Sequence, residues 1–269
     1  MKIYHLNCGS MCPACERLIN GYGSLIKPGA MVCHCLLIES KQKLTLVDTG
    51  FGRDDILNPN KRLGRLFPKL INAKLDLAET AYEQIKQLGF SPNDVTDIFP
   101  THLDLDHAGG LSDFPQAKVH IYQPELKSAL QPRLKDRARY RQSQFEHQPK
   151  WQTYENPNED WFGLNAFDCS EHFDYPIKMV PLTGHTFGHV GIAVKTEKEW
   201  LLHCGDAYFH HSQVTAQPNM PKLLSFFEKQ VETDRNQRLA SLKKLSELKK
   251  SQPNIQMFCA HDINEFKAF

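Results

Sequence analysis

The stretch Thr101-His102-Leu103-Asp104-Leu105-Asp106-His107-Ala108-Gly109-Gly110 sets two imidazoles and two carboxylates inside one short loop and follows them with paired glycines. Packing does not ask for such a density of polar side chains, and a solvated loop seldom spends two His and two Asp so close together. In an extended or loosely turning segment His102 and Asp104 point the same way, while the adjacent Asp106 and His107 must diverge. One loop can therefore serve two cations, and imidazole with carboxylate is a donor set for borderline and hard divalent metals. Gly109 and Gly110 are expected to let the backbone turn tightly beneath the loop and open a helix.

Partners for this loop recur in the same kind of place. An apolar run Ile177 to Leu182 leads into Thr183-Gly184-His185-Thr186-Phe187-Gly188-His189, Trp200 to Cys204 leads into Gly205-Asp206, and Ile255 to Ala260 leads into His261-Asp262. Short apolar runs bounded by Gly and polar residues read as buried strands. Four strand ends, counting the one before His102, thus deliver His or Asp, and gathering such ends on a rigid scaffold is how a polynuclear metal site is built.

Periodicity places further elements. Val32 to Glu39 and Leu44 to Asp48 read as a hairpin joined by Ser40-Lys41-Gln42-Lys43. Ala81, Tyr82, Ile85 and Leu88 mark a helix from about Glu79 to Leu88, with Gly89 as its stop. Ala117 to Tyr122 reads as a strand and Pro124 to Leu130 as a helix with proline in its first turn. Leu239, Leu242, Leu245 and Leu248 form the stripe of an outer helix, whose Lys249 and Lys250 suit the negative end of its dipole.

Residues 131–163 break this alternation with Arg133, Arg137, Arg139, Tyr140, Arg141, Phe145, Trp151 and Trp161. Long irregular connections are functional or disordered, and aromatic content argues against disorder. One reading is a flap over the site in which Arg139 and Trp151 hold an anionic or aromatic substrate. The other is a solvated basic helix packed by its aromatics.

Eight cysteines are present, and Cys12-Pro13-Ala14-Cys15, with Cys8 before it and Cys33-His34-Cys35 after it, has the spacing of a zinc or redox pair. Cys33 and Cys35, however, share one face of an apolar strand, and free Cys is among the most buried residue types. Reduced, buried thiols are the expectation for these and for Cys169, Cys204 and Cys259, with a further metal site or a disulfide at Cys8, Cys12, Cys15, Cys33 and Cys35 as the alternative.

Composition sets outer bounds. With 41% hydrophobic residues, 269 residues can bury a full core, and one domain spanning 1–269 is expected. A formal charge of +1 gives no overall footprint for nucleic acid and leaves small molecules as the expected partners, with a homodimer left open. The segment Met1 to Cys8 has no apolar signal core, and no apolar run is long enough for a bilayer, so a cytoplasmic location without membrane contact is expected.

In order across almost the whole chain, Val47-Asp48-Thr49-Gly50, the His102 to Gly110 loop, Gly184-His185-Thr186 with Gly188-His189, Gly205-Asp206 and His261 resemble the metallo-β-lactamase superfamily. The resemblance implies an α/β (α+β) four-layer αββα sandwich, with two mixed sheets face to face, helices outside and a metal pair at one edge. Carried over, His102, Asp104 and His185 hold a first divalent cation, and Asp106, His107 and His261 a second. Asp206 bridges the two, and Asp48 and His189 support the ligands from behind. Zinc is the implied metal; because the family usually has His where this chain has Asp104, the harder donor set also admits iron or manganese.

The chemistry implied is hydrolysis of a small ester, lactone or related substrate by a hydroxide held between the metals, nearest the lactonase-like branches. Asp106 and Tyr208 are the catalytic candidates, Tyr208 as donor to a developing oxyanion, although the lactonase tyrosine stands at a neighbouring and not identical offset. No Gly-x-Ser-x-Gly nucleophile elbow is present. The alternatives are a diiron redox protein of the same fold, since flavodiiron proteins also place a carboxylate at the position of Asp104, and a phosphodiesterase. A glyoxalase II activity is not expected, because the helical extension of that branch has no counterpart between His261 and Phe269.

Overall fold

The computed structural model describes residues 1–41, 43–215 and 219–269, so Gln42 of the expected hairpin connection lies outside the described residues. The strands are β1 (Lys2–Met11), β2 (Met31–Glu39), β3 (Leu44–Val47), β4 (Val95–Phe99), β5 (Lys118–Tyr122), β6 (Lys150–Tyr154), β7 (Glu159–Trp161), β8 (Leu164–Asp168), β9 (Ile177–Pro181), β10 (Val190–Lys195), β11 (Trp200–His203) and β12 (Ile255–Phe258). The first six form one sheet in sequence order, antiparallel from β1 to β3 and parallel from β3 to β6. The other six form a second sheet in the order β12-β11-β10-β9-β8-β7, antiparallel except where β11 and β12 run parallel.

Alternation along β2 explains the layering. Leu36 and Ile38, with Val47 and Phe99, face Ile177, Met179, Val190 and Ile192 of the second sheet and form the core between the sheets. Their neighbours Cys35 and Leu37 point the other way, with Leu46, Ile98 and Val119, onto Ile85 of helix Ala81–Gln87 and Ala129 of helix Gln123–Leu130. On the far side Val180, Leu182, Leu202 and Met257 bury against Leu245 and Leu248 of helix Arg235–Ser251. Each fully buried Leu or Ile contributes about 1.5–3 kcal/mol relative to exposure, and the result is the four-layer αββα sandwich that the sequence motifs imply.

Several elements differ from the sequence reading for identifiable reasons. Strand β1 has no counterpart in the periodicity, because it is an edge strand with many half-exposed positions and a bulge between Asn7 and Ser10. In helix Arg235–Ser251, Leu245 and Leu248 are buried but Leu239 is 44% exposed, since a strict spacing of three drifts around a helix of 3.6 residues per turn. The α-helix after the metal loop, Leu105–Ala108, begins before the glycines, and the glycines themselves open the 3-10 helix Gly109–Asp113 that continues it. Gly109 supplies room, since a Cβ there would stand 2.0 Å from Asp55 Oδ2 and 2.8 Å from the carbonyl of Gly50.

The segment 131–163 is not one irregular flap. After short turns at Leu134–Asp136 and Gln142–Gln144 it supplies the two edge strands β6 and β7, one to each sheet. Among the described residues no helix is long and apolar enough to cross a membrane.

Candidate metal centre

The segments that follow β3, β4, β9, β11 and β12 converge at one edge of the sandwich and set two groups of donors on either side of Asp206. Asp206 Oδ2 lies 3.9 Å from His102 Nε2 and 3.4 Å from His185 Nε2. Asp104 Oδ2 closes that group at 3.4 Å from His102 Nε2 and 3.1 Å from His185 Nε2. Asp206 Oδ1 faces the other way, 3.3 Å from His107 Nε2 and 3.1 Å from His261 Nε2, which are themselves 3.3 Å apart. Asp106 Oδ2 stands 3.6 Å from His261 Nε2. All seven sequence-predicted donors therefore meet in one cluster.

These separations have the dimensions of coordination polyhedra. Ligands about 2.0–2.2 Å from a tetrahedral cation stand roughly 3.3–3.6 Å from one another. Elsewhere in the same chain a His facing an Asp closes to hydrogen-bond length: 2.8 Å for His107 Nδ1 and Asp48, 2.8 Å for His120 and Asp97, 2.6 Å for His211 and Asp262. The donors around Asp206 are held farther apart than that, and His102 Nε2 and Asp206 Oδ1 are buried with no hydrogen-bond partner. Buried polar atoms are ordinarily satisfied, so the donor set fits two divalent cations.

Supporting hydrogen bonds fix which nitrogen His102, His107 and His261 present. Asp48 accepts from His107 Nδ1 at 2.8 Å and from the Thr101 amide at 2.7 Å. The Thr101 hydroxyl donates to Asp48 Oδ2 at 3.0 Å and accepts from His102 Nδ1 at 3.0 Å. His261 Nδ1 donates to the carbonyl of Val32 at 2.7 Å. In each case the Nδ1 proton is committed outward and the Nε2 lone pair is left facing the centre. Asp48 itself has φ 55, a left-handed conformation that Asp tolerates better than most residues.

His189 is not among the donors, although it touches the cluster. Its Nδ1 donates to the carbonyl of Leu182 at 3.0 Å, and its Nε2 accepts the amide of Asp206 at 2.9 Å. Burial and the neighbouring His102 and His185 push its pKa well below the usual value, so it stays a neutral acceptor that positions the Asp206 backbone. His203 adds a second hold through Nδ1, which accepts the Gly205 amide at 3.1 Å. Gly205 has φ +53, and a Cβ there would stand 2.6 Å from His189 Nε2, so no side chain fits.

Asp104 has a partner that the sequence did not suggest. Arg139 Nε lies 2.9 Å from Asp104 Oδ1, with side chains only 13% and 14% exposed. The remaining guanidinium nitrogens reach the carbonyl of His185 at 3.0 Å, Thr233 Oγ1 at 3.2 Å and the carbonyl of Val231 at 2.5 Å. Burial alone would raise the Asp104 carboxyl, but the Arg139 guanidinium and then His102 hold it well below the usual carboxylate range. Burial and that same guanidinium press His185 down to about 4. Arg139 thus commits its donors to protein atoms, where the sequence reading set them against a substrate.

Two other expectations are also corrected. The hydroxyl of Tyr208 donates to Glu265 at 3.0 Å, inside the apolar cluster on the outer face of the second sheet, and burial raises its pKa well above the usual value. The aromatic that faces the cluster is the next residue, Phe209, stacked on His261 at 5.6 Å and edge-on to His185 at 5.7 Å. Trp151 packs edge-on against Phe145 in the outer core of the first sheet, not at the donors.

Sequence reasoning also missed Glu125, which is fully buried. Its carboxylate accepts the amides of Leu103 at 2.9 Å and Gly188 at 3.1 Å and the hydroxyl of Tyr140 at 2.9 Å. One carboxylate therefore ties the His102 loop to the loop between His185 and His189. A lone Glu in the first turn of a helix carries no signal that could have found it.

The sequence model of the metallo-beta-lactamase superfamily matches residues 28–245, and with the αββα sandwich in place the chain belongs to that superfamily and is a metallo-hydrolase. It is 38% identical over 264 residues to a probable metallo-hydrolase of Mycobacterium tuberculosis, covering 97% of this chain and 80% of that one. An N-acyl homoserine lactonase of Bacillus thuringiensis is 24% identical over 270 residues, covering 99% and 95%. Among solved structures, an N-acyl homoserine lactone hydrolase with N-hexanoyl-L-homoserine at its catalytic metal centre matches with a TM-score of 0.72 at 22% identity, over 100% of this chain and 96% of that one. A dizinc quorum-quenching lactonase in complex with the same product matches with a TM-score of 0.62 at 19% identity, over 96% and 86%. At these identities the structural likeness speaks for the fold.

Proposed function

We propose that the chain hydrolyses a small ester or lactone with two divalent cations, the first held by His102, Asp104 and His185, the second by Asp106, His107 and His261, and both by Asp206. The observation that carries this reading is the division of Asp206 itself, with Oδ2 toward one His and Asp group and Oδ1 toward the other. When bound, such a pair supplies an activated water near neutral pH and a Lewis acid for a carbonyl oxygen. Zinc is the metal the histidine-rich set favours, with iron or manganese admitted by Asp104.

The chain's own residues supply orientation and proton handling. Asp106, with a side chain 12% exposed, is the carboxylate placed to take the proton of the attacking water and return it to the leaving oxygen. Phe209 walls one side of the centre with an apolar ring and excludes water there. It offers no proton, so an oxyanion forming in this site receives no phenolic hydrogen bond from the residue after Tyr208. Beside it Ile19, Phe51, Leu63 and Leu224 pack with Phe209 into a buried apolar cluster that backs the centre.

The test is turnover of a panel of lactones, aryl esters, thioesters and phosphodiesters, with and without chelation. Lactone or ester hydrolysis that disappears on chelation, returns with metal and is lost in folded His102→Ala and His261→Ala variants supports the reading. Phosphodiester turnover alone, or dioxygen consumption by an iron-loaded chain without hydrolysis, would replace it. The relatives named as N-acyl homoserine lactonases make acylated lactones the first substrates to try.

A further inference from the structure

We propose that Cys33 is a thiolate ligand of the cation beside His107 and His261, so that the two halves of the centre differ in chemical softness. This rests on the metal pair proposed above and deepens it. The half around His102, Asp104 and His185 has nitrogen and oxygen donors only, and the other half has sulfur in addition.

The placement is specific. The Cys33 sulfur, a carboxylate oxygen of Asp106 and a ring nitrogen of His261 all lie within 4.8 Å of one another. Cys33 is 1% exposed and belongs to the cluster of Phe51, Leu105 and Phe209 that walls the centre. Cys35, two residues along the strand, packs instead with Cys8, Leu37 and Leu46 in the outer core. Strand β2 thus commits one of its two thiols to the donor cluster.

The strand that carries the thiol also orients the imidazole next to it. The carbonyl of Val32 accepts His261 Nδ1 at 2.7 Å, and the amide of Cys33 donates to Asn7 Oδ1 at 3.1 Å. Strand β1 approaches the thiol closely: a Cβ built on Gly9 would stand 3.1 Å from Cys33 Sγ and 2.5 Å from the Phe51 ring. A cation seated on His261 therefore has Asp106 and Cys33 as neighbouring donors.

Ligation replaces the S–H bond with a metal–sulfur bond of about 2.3 Å and sends the proton to solvent. Thiolate is a softer donor than carboxylate and suits zinc, whereas carboxylate suits harder cations such as manganese. With Cys33 as a ligand, the half beside His107 and His261 should therefore prefer zinc more strongly than the Asp104 half does.

Cobalt(II) tests this without relying on turnover. Titrated into the metal-free chain, it should fill both halves, read from visible d–d bands, and should give one near-ultraviolet thiolate-to-cobalt band that saturates with one of the two equivalents. In Cys33→Ser the near-ultraviolet band should vanish while two cobalt ions still bind, and in the Cys12→Ser, Cys15→Ser chain it should persist. Two bound cobalt ions without a thiolate band, or a band that survives Cys33→Ser, overturns the assignment while leaving the metal pair standing. No cobalt binding at all overturns both. Should Cys33→Ser fail to fold, X-ray absorption of the zinc-loaded Cys12→Ser, Cys15→Ser chain decides: a sulfur scatterer near 2.3 Å is expected, and nitrogen and oxygen alone refute it.

Discussion

Arg139→Met removes the guanidinium from Asp104 while keeping an unbranched stem. In the metal-free chain this leaves a largely buried carboxylate with no cation at 2.9 Å and deprives the carbonyls of His185 and Val231 and the hydroxyl of Thr233 of a donor. Breaking a buried pair by removing one partner costs about 3–5 kcal/mol. With both side chains still slightly exposed the lower end applies, about 3 kcal/mol. At about 2–4 °C per kcal/mol for a chain of this size, the melting temperature should fall by about 6–12 °C. A cation bound on the Oδ2 side of Asp104 replaces the lost compensation, so in excess zinc the fall should be roughly half as large.

The assay is thermal unfolding by calorimetry or circular dichroism, run metal-free and zinc-loaded on both proteins. The variant should therefore gain more stability from zinc than the parent does. A metal-free variant that melts within about 2 °C of the parent, or a loss equally large with and without zinc, would refute the view that Arg139 compensates Asp104. A raised Michaelis constant with unchanged stability would return Arg139 to a substrate-binding role.

Asp104→His sets an imidazole against the guanidinium of Arg139 and should destabilise the metal-free chain; adding Arg139→Met should recover part of that loss, with a coupling of at least about 1 kcal/mol in a double-mutant cycle read by urea denaturation. Tyr208→Phe should lower stability by about 1–2 kcal/mol through the lost bond to Glu265, yet leave turnover within about twofold, which steady-state kinetics will check. Acid stability carries a further signature at Asp97, buried but held down to about 2 chiefly by its hydrogen bond from His120. Because its folded pKa lies below the unfolded value, the stabilisation is complete above about pH 4 and is lost as pH falls towards 2. Discounted for solvent screening it is worth about 1 kcal/mol, so the gap between the parent and Asp97→Asn in urea denaturation should close over that interval.

What could be read from the sequence was local and dense. The donors of the His102 to His107 loop lie in one segment, and the others each follow a short apolar run, so strand ends and ligand chemistry pointed to a shared site, and the family resemblance supplied the assignment of all seven. The partner of Asp104 was hidden because Arg139 lies in a segment without periodicity, where nothing in the chain says which residue folds back onto the site. Tyr208 and Phe209 differ by one position after Asp206, in a turn to which neither the strand nor the helix period applies; only the coordinates show that Phe209 faces His261 and Tyr208 faces Glu265. Trp151 and Trp161 suggested a flap because edge strands expose one face and so blur their alternation. The position of Cys33 depended on the Gly9 bulge and on the contact between β2 and His261, both products of tertiary pairing.

The measurement that bears most directly on the account is anomalous diffraction at the zinc absorption edge from crystals of the zinc-loaded chain. Two peaks about 3.5–4 Å apart are expected, one against His102, Asp104 and His185, the other against His107, His261 and Asp106, with the Asp206 carboxylate between them. A single peak, or two peaks that do not flank Asp206, would contradict it.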